Sequence, residues 1–146
     1  MICGCRALIL TAAIVCGAIA APASQAEKRS VRDGVYTENQ ARRGEKIYEG
    51  QCAACHGTDL AGVTPFPALT GSTFVRNWDG GTLDTIIDRL QKTMPPDDPK
   101  KMTRQQHVDV LAYLLKMNGH PAGAAELPQE ARTLTAIRFE PTTSKK

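Results

Sequence analysis

Cys52-Ala53-Ala54-Cys55-His56 is the stretch on which the reading of this chain turns. A C-x-x-C-H run is the sequence mark of covalent haem attachment, and its spacing follows from the chemistry. Two thiols must add to the two vinyl groups on one edge of a porphyrin. Helix positions three apart project to one side, so Cys52 and Cys55 can reach both. His56, the next residue, can then stand under the iron and offer it a ring nitrogen. Three other uses of these residues compete. A zinc site needs about four ligands, and His107 and His120 would have to complete it. A thioredoxin-like pair expects a neighbouring β-α-β pattern, which is missing. A plain disulfide leaves His56 without a purpose.

Upstream of the run, Thr37 with Gln40 three residues on forms a capping box. Ala41, Gly44, Tyr48 and Cys52 then recur at helical spacing, and Gly57 is a stop signal just past His56. Earlier still, Met1 to Arg6 carries one positive charge and Ala7 to Ala21 is an uncharged apolar run ending in small residues. This is the plan of a secretory signal peptide over residues 1–26. Its apolar part is shorter than the ~20 residues that span a bilayer, so no membrane span is expected in the mature form. Cys3, Cys5 and Cys16 would leave with the signal, and the exported, periplasmic protein would keep Cys52 and Cys55 alone. Residues 27–36 are charged and lack periodicity, and read as a flexible leader.

Downstream, residues 58–81 read as loop, punctuated by Gly62, Pro65, Pro67, Gly71, Gly80 and Gly81. A second helix is expected over 82–92, with Leu83, Ile86, Ile87 and Leu90 on one side, ended by Pro95-Pro96. Thr103 and Gln106 form another capping box before a nearly all-apolar helix to Met117, closed by Asn118-Gly119. Beyond Pro121 an extended tail over 121–146 carries Leu127, Leu134, Ile137 and Phe139. The chain is thus all-α, about three main helices with loops. At 146 residues it is sized for one domain. Its aromatics are few, and a large apolar cofactor at the centre would supply core that they do not. The net charge of +3 becomes +2 without residues 1–26, whose single charged residue is Arg6. Such a chain lacks the concentrated basic face that nucleic-acid binding needs.

From about Thr37 to Asn118 the sequence resembles the class I cytochromes c, which places a cytochrome c domain at 37–120. Gly44 and Tyr48 stand eight and four residues before the first haem cysteine, as in that family, where they cross the last helix. Pro67-Ala68-Leu69-Thr70-Gly71 matches the family's Pro-x-Leu-x-Gly. The resemblance implies that the Pro67 carbonyl accepts the second ring N–H of His56. Met94-Pro95 matches the family's Met-Pro step and lies on a loop between helices, which implies Met94 as the sixth iron ligand ahead of Met102, Met117, His107 and His120. Trp78, and less closely Arg76, fall where the family sets donors to the haem propionates.

The function so implied is a periplasmic electron carrier rather than an enzyme, with one haem c bound through Cys52 and Cys55 and His/Met ligation. Its partners would be redox proteins, a dehydrogenase donor (of the quinoprotein alcohol type by one short resemblance) and an oxidase or other cytochrome as acceptor. The competing reading is a haem enzyme subunit or ligand-binding sensor with an open sixth position. Lys100, Lys101 and Arg104 follow the Met94 loop and read either as ordinary solvated surface, beside Asp97 and Asp98, or as a cationic docking rim.

Overall fold

The computed structural model describes residues 28–142; the expected signal segment lies outside them. Helix α1 (Glu38–Gln51) starts at Thr37, whose hydroxyl accepts the backbone N–H of Gln40. The reciprocal half of the expected capping box is not made. Gln40 is fully buried, and its carboxamide instead pairs both ways with the backbone of Leu127, at 2.9 and 2.7 Å. A residue read as a local cap therefore ties the tail to the first helix.

The helix does not run on through the motif. At Cys52 the backbone swings to φ −124°, and a separate short helix α2 (Ala53–His56) begins. Gly57 ends it at φ +77°, in the left-handed region that favours glycine. Its carbonyl accepts the Tyr48 hydroxyl at 2.7 Å, so the turn after His56 is fastened back onto α1.

Within the stretch expected to be loop, residues 71–78 form a helix, α3 (Gly71–Trp78). Its composition argues weakly for helix, but burial of Phe74, edge-on against Phe139 at 5.9 Å, outweighs that. Helix α4 (Leu83–Thr93) is capped by Thr82 and buries Leu83, Ile86 and Ile87, the face that periodicity predicts. Helix α5 (Arg104–Met117) makes its capping box in full between Thr103 and Gln106, at 3.2 and 2.7 Å. It buries every residue from His107 to Leu115, as an all-round apolar helix should.

The segment expected as a flexible leader is pinned down. Arg29–Ser30 (β1) pairs in parallel with Ile137–Arg138 (β2), and Val31, Val35 and Tyr36 are buried. These three show no periodicity because they bury from a single helical turn, an irregular residue and a bend. The tail wraps, as its spaced apolar residues suggest, and includes one short helix α6 (Ala131–Thr135). Leu127, Leu134, Ile137 and Phe139 are each no more than 1% exposed. Apart from the two-residue strand pair and isolated bridges, the described fold is all-α, with six helices.

The crossing of α1 and α5 sets the frame. A Cβ on Gly44 would overlap the carbonyl oxygen of Asp109 and stand 2.5 Å from its carbonyl carbon, so the two backbones touch at that glycine. Tyr48 and Tyr113 pack across the same crossing, ring centres 5.4 Å apart. On its solvent edge the Arg43 guanidinium forks to Asp109, at 3.0 and 3.1 Å, and reaches Glu126, at 2.8 Å.

Candidate haem site

A cavity of about 500 Å³ opens beside α2, and Cys52, Cys55 and His56 all line it. That volume lies within the ~300–1,000 Å³ usual for cofactor sites. The motif reaches the cavity because Cys52 ends α1 and the short α2 turns the next residues to the wall. Neither thiol is bridged. Burial, then the neighbouring Cys55, pushes the Cys52 thiol up to about 11, against an opposing pull from Lys101. Such a thiol stays protonated in neutral water, unlike the acidified thiols of disulfide exchange.

His56 is 6% exposed, and its Nδ1 lies 2.8 Å from the Pro67 carbonyl oxygen. A carbonyl only accepts, so Nδ1 carries the proton and Nε2 keeps its lone pair. Nε2 has no partner among the described residues, which leaves it available to a ligand. Pro67 is itself steadied from α5. The Asn118 side-chain amide donates to the carbonyls of Leu69 and Leu114, at 3.0 and 2.8 Å, and its oxygen accepts from Gly71 N–H at 3.2 Å. Sequence reading treated Asn118 only as a helix stop. Its role spans 49 residues and had no local signal.

Met94 sits at the C-terminal cap of α4 in extended conformation and lines the cavity. Met102 is buried outside it, on a shallow groove with Lys46 and Lys101, and Met117 is 43% exposed to solvent. His107 and His120 do not line it either. Both ring nitrogens of His107 face carbonyl oxygens, and both of His120 are buried without a partner. Trp78 reaches the wall from the end of α3, with Asn77 beside it. Arg76 does not; its guanidinium bonds Thr73. The cation on the wall is Arg89, from α4, a residue that the sequence reading does not single out. The rest is mainly apolar, with Leu69, Phe74, Ile86, Leu90, Val110 and Leu114.

Two of the three cations expected at a docking rim are engaged within the protein, and Lys100 is exposed. Arg104 spends its guanidinium on Asp84 at 2.7 Å, the Gln91 side chain and the Gln129 carbonyl, tying α4, α5 and the tail together. Lys101 is paired with Asp97 at 3.0 Å.

The residues present fit a covalently held haem: two unbridged thiols, a histidine with a free Nε2, and a largely apolar chamber. Residues 39–114 match the family model described as cytochrome c oxidase, cbb3-type, subunit III. The chain is 31% identical to cytochrome c-555 of Methylococcus capsulatus over 121 residues, 81% of this chain and 89% of that protein. It is 33% identical to the Cbb3-type cytochrome c oxidase subunit CcoP of Rubrivivax gelatinosus over 82 residues. That match covers 53% of this chain but only 26% of CcoP, so the chain spans about a quarter of that relative. A third relative, cytochrome c1 of Rhodobacter capsulatus, is 40% identical over 60 residues, 38% of this chain and 21% of that protein. No solved structure matches. Among the described residues no helix is long and apolar enough to cross a membrane. With the C-x-x-C-H run lining an apolar cavity and a family match over half its length, this chain belongs to the c-type cytochromes, electron-transfer proteins that carry covalently bound haem c.

Proposed function

We propose that the protein is a periplasmic electron carrier with one haem c, attached through Cys52 and Cys55 and ligated by His56 and Met94. The observation that carries this reading is that Met94, alone among the methionines of the described residues, lines the cavity that the motif lines. The haem, when bound, supplies a reversible one-electron couple at its iron. The chain's own residues prepare the site for that couple. The Pro67 carbonyl holds the Nδ1 proton of His56, which fixes the tautomer, orients the ring and raises the basicity of Nε2. A thioether as second ligand raises the potential and leaves no position for a substrate. Apolar walls from α3, α4 and α5 keep water away, so little solvent must reorganise when the charge changes. Trp78, with its indole N–H free of protein partners among the described residues, is a suitable donor to a haem propionate, and Arg89 a suitable counter-charge.

The signal-like segment 1–26 supports export to the periplasm. A dehydrogenase as donor follows from the short resemblance to quinoprotein-associated cytochromes. An oxidase as acceptor is favoured by relatives that are themselves oxidase subunits. The ferric holoprotein should show the far-red thioether-to-iron charge-transfer band, and the ferrous form should not bind carbon monoxide. Met94→Ala should lose the band, gain carbon monoxide binding and lower the potential, whereas Met102→Ala should do none of these. A wild-type protein without the band, or one that binds carbon monoxide readily, has an open sixth position and is a ligand-binding haem protein instead.

A further inference from the structure

His107 has no part in the reading above, yet its surroundings are specific. It lies one turn into α5 and is 2% exposed. Its Nδ1 is 3.0 Å from the Thr103 carbonyl oxygen, and its Nε2 is 3.2 Å from the Met94 carbonyl oxygen. Carbonyl oxygens only accept, so each contact calls for a ring N–H, and a neutral imidazole has one. The two acceptors differ. Thr103 already receives the backbone N–H of His107 at 3.1 Å. The His107 ring is the one donor that the described residues bring to the Met94 carbonyl. An acceptor left unmet beside a buried ring loses its hydration for nothing, so the proton belongs on Nε2, directed at Met94.

The loop itself has few means of holding its shape. Pro95, Pro96 and Pro99 carry no N–H, and Asp97 and Asp98 bond within their own turn and to Lys101. The main chain of Met94 is fixed at two points. Its N–H is the last bond of α4, donated to Leu90 at 2.9 Å, and its carbonyl is the one His107 meets. We propose that His107 is a positioning residue: by fastening the Met94 carbonyl to α5 it sets the reach of the thioether into the cavity. The proposal rests on the reading of Met94 as iron ligand.

The test is displacement of Met94 by imidazole, followed in the ferric holoprotein at one fixed pH. His107→Leu removes the donor and should bind imidazole about tenfold more tightly, the size of one net hydrogen bond. His107→Gln keeps a side-chain N–H that can reach the same carbonyl and should stay close to wild type. Equal affinities for His107→Leu and wild type, with the far-red band present in both, overturn the proposal alone. Absence of that band from the wild type overturns the ligand reading and the proposal with it. If His107→Leu does not assemble, nitrogen-15 spectra of the wild-type ferrous protein decide. Nε2 of His107 should be protonated and slow to exchange, and an unprotonated Nε2 overturns the proposal.

Discussion

Replacing His120 by leucine should flatten the acid side of the stability profile. His120 is 4% exposed, and neither ring nitrogen has a partner. Phe139 stands edge-on to it at 5.3 Å, and Tyr36 donates to its carbonyl rather than to its ring. Burial, with a smaller contribution from the positive charge of Arg32, pushes the ring down to about 4 from its usual 6.5. The sign follows from proton counting. The folded chain keeps this ring neutral at pH values where the unfolded chain protonates it, so stability is complete above pH 6.5 and is lost as pH falls toward 4. At pH 5 the unfolded state gains a factor of roughly 30, or about 2 kcal/mol. The informative quantity is a difference of differences between the two proteins. Unfolding by guanidinium at pH 7.5 and pH 5, on wild type and His120→Leu holoproteins, removes the shared contributions. The wild type should lose about 2 kcal/mol more than the variant across that interval. At pH 7.5 the substitution should be close to neutral, because no hydrogen bond is broken. Equal losses in the two proteins would mean that the ring is hydrated or paired in solution, and the reasoning would fail.

Gly44→Ala should destabilise by about 3 kcal/mol or more, because its methyl would overlap the Asp109 carbonyl and force α1 from α5; chemical unfolding measures it, and a loss under 1 kcal/mol would refute the close crossing. Arg104→Leu should cost roughly 1–3 kcal/mol, through loss of the bonds to Asp84, Gln91 and Gln129, while the salt dependence of electron transfer stays unchanged. A weaker salt slope would restore the docking role that its contacts argue against. Asn118→Ala should release the segment from Leu69 to Gly71 and, through Pro67, broaden the resonances of the His56 ring in the reduced protein; unaltered His56 resonances would show that the segment holds itself.

What could be read from the sequence, and what could not, divides by the range of the interaction responsible. The motif, the Thr103 capping box and the apolar face of α4 are local patterns, and the structure contains each of them. The Thr37–Gln40 spacing is equally local and marks the helix start correctly, but only half of its capping box forms. Gln40 has a better partner 87 residues away, in the Leu127 backbone. Helix α3 was hidden for the same reason, since its one strong argument is Phe74 meeting Phe139 from the tail. The leader shows no periodicity because Val31, Val35 and Tyr36 lie in one helical turn, irregular chain and a bend, and the neighbouring Arg29–Ser30 strand pairs with the tail. At the site, Cys52, Cys55, His56, Pro67, Trp78 and Met94 could be picked out and all line the cavity. Arg76 is suggested by its position along the chain and does not line the cavity, whereas Arg89 does so because its turn of α4 faces it, which nothing local in the sequence marks.

The parts of the site share one support. Helix α5 meets α1 backbone to backbone at Asp109 and Gly44, one helical stretch upstream of the motif. Through Asn118 it holds the strand of chain that presents the Pro67 carbonyl to His56. Through His107 it meets the carbonyl of Met94. Val110 and Leu114, between those contacts, line the cavity itself. The C-x-x-C-H run and the methionine therefore come from separate segments, yet each segment is referred to a single helix whose middle nine residues are all buried. A carrier of single electrons needs its two proposed ligands at nearly the same distance from iron in both oxidation states. A rigid common reference is a direct way to meet that need, and it gives a reason for polar side chains at His107 within a largely apolar helix and at Asn118 on its C-terminal cap.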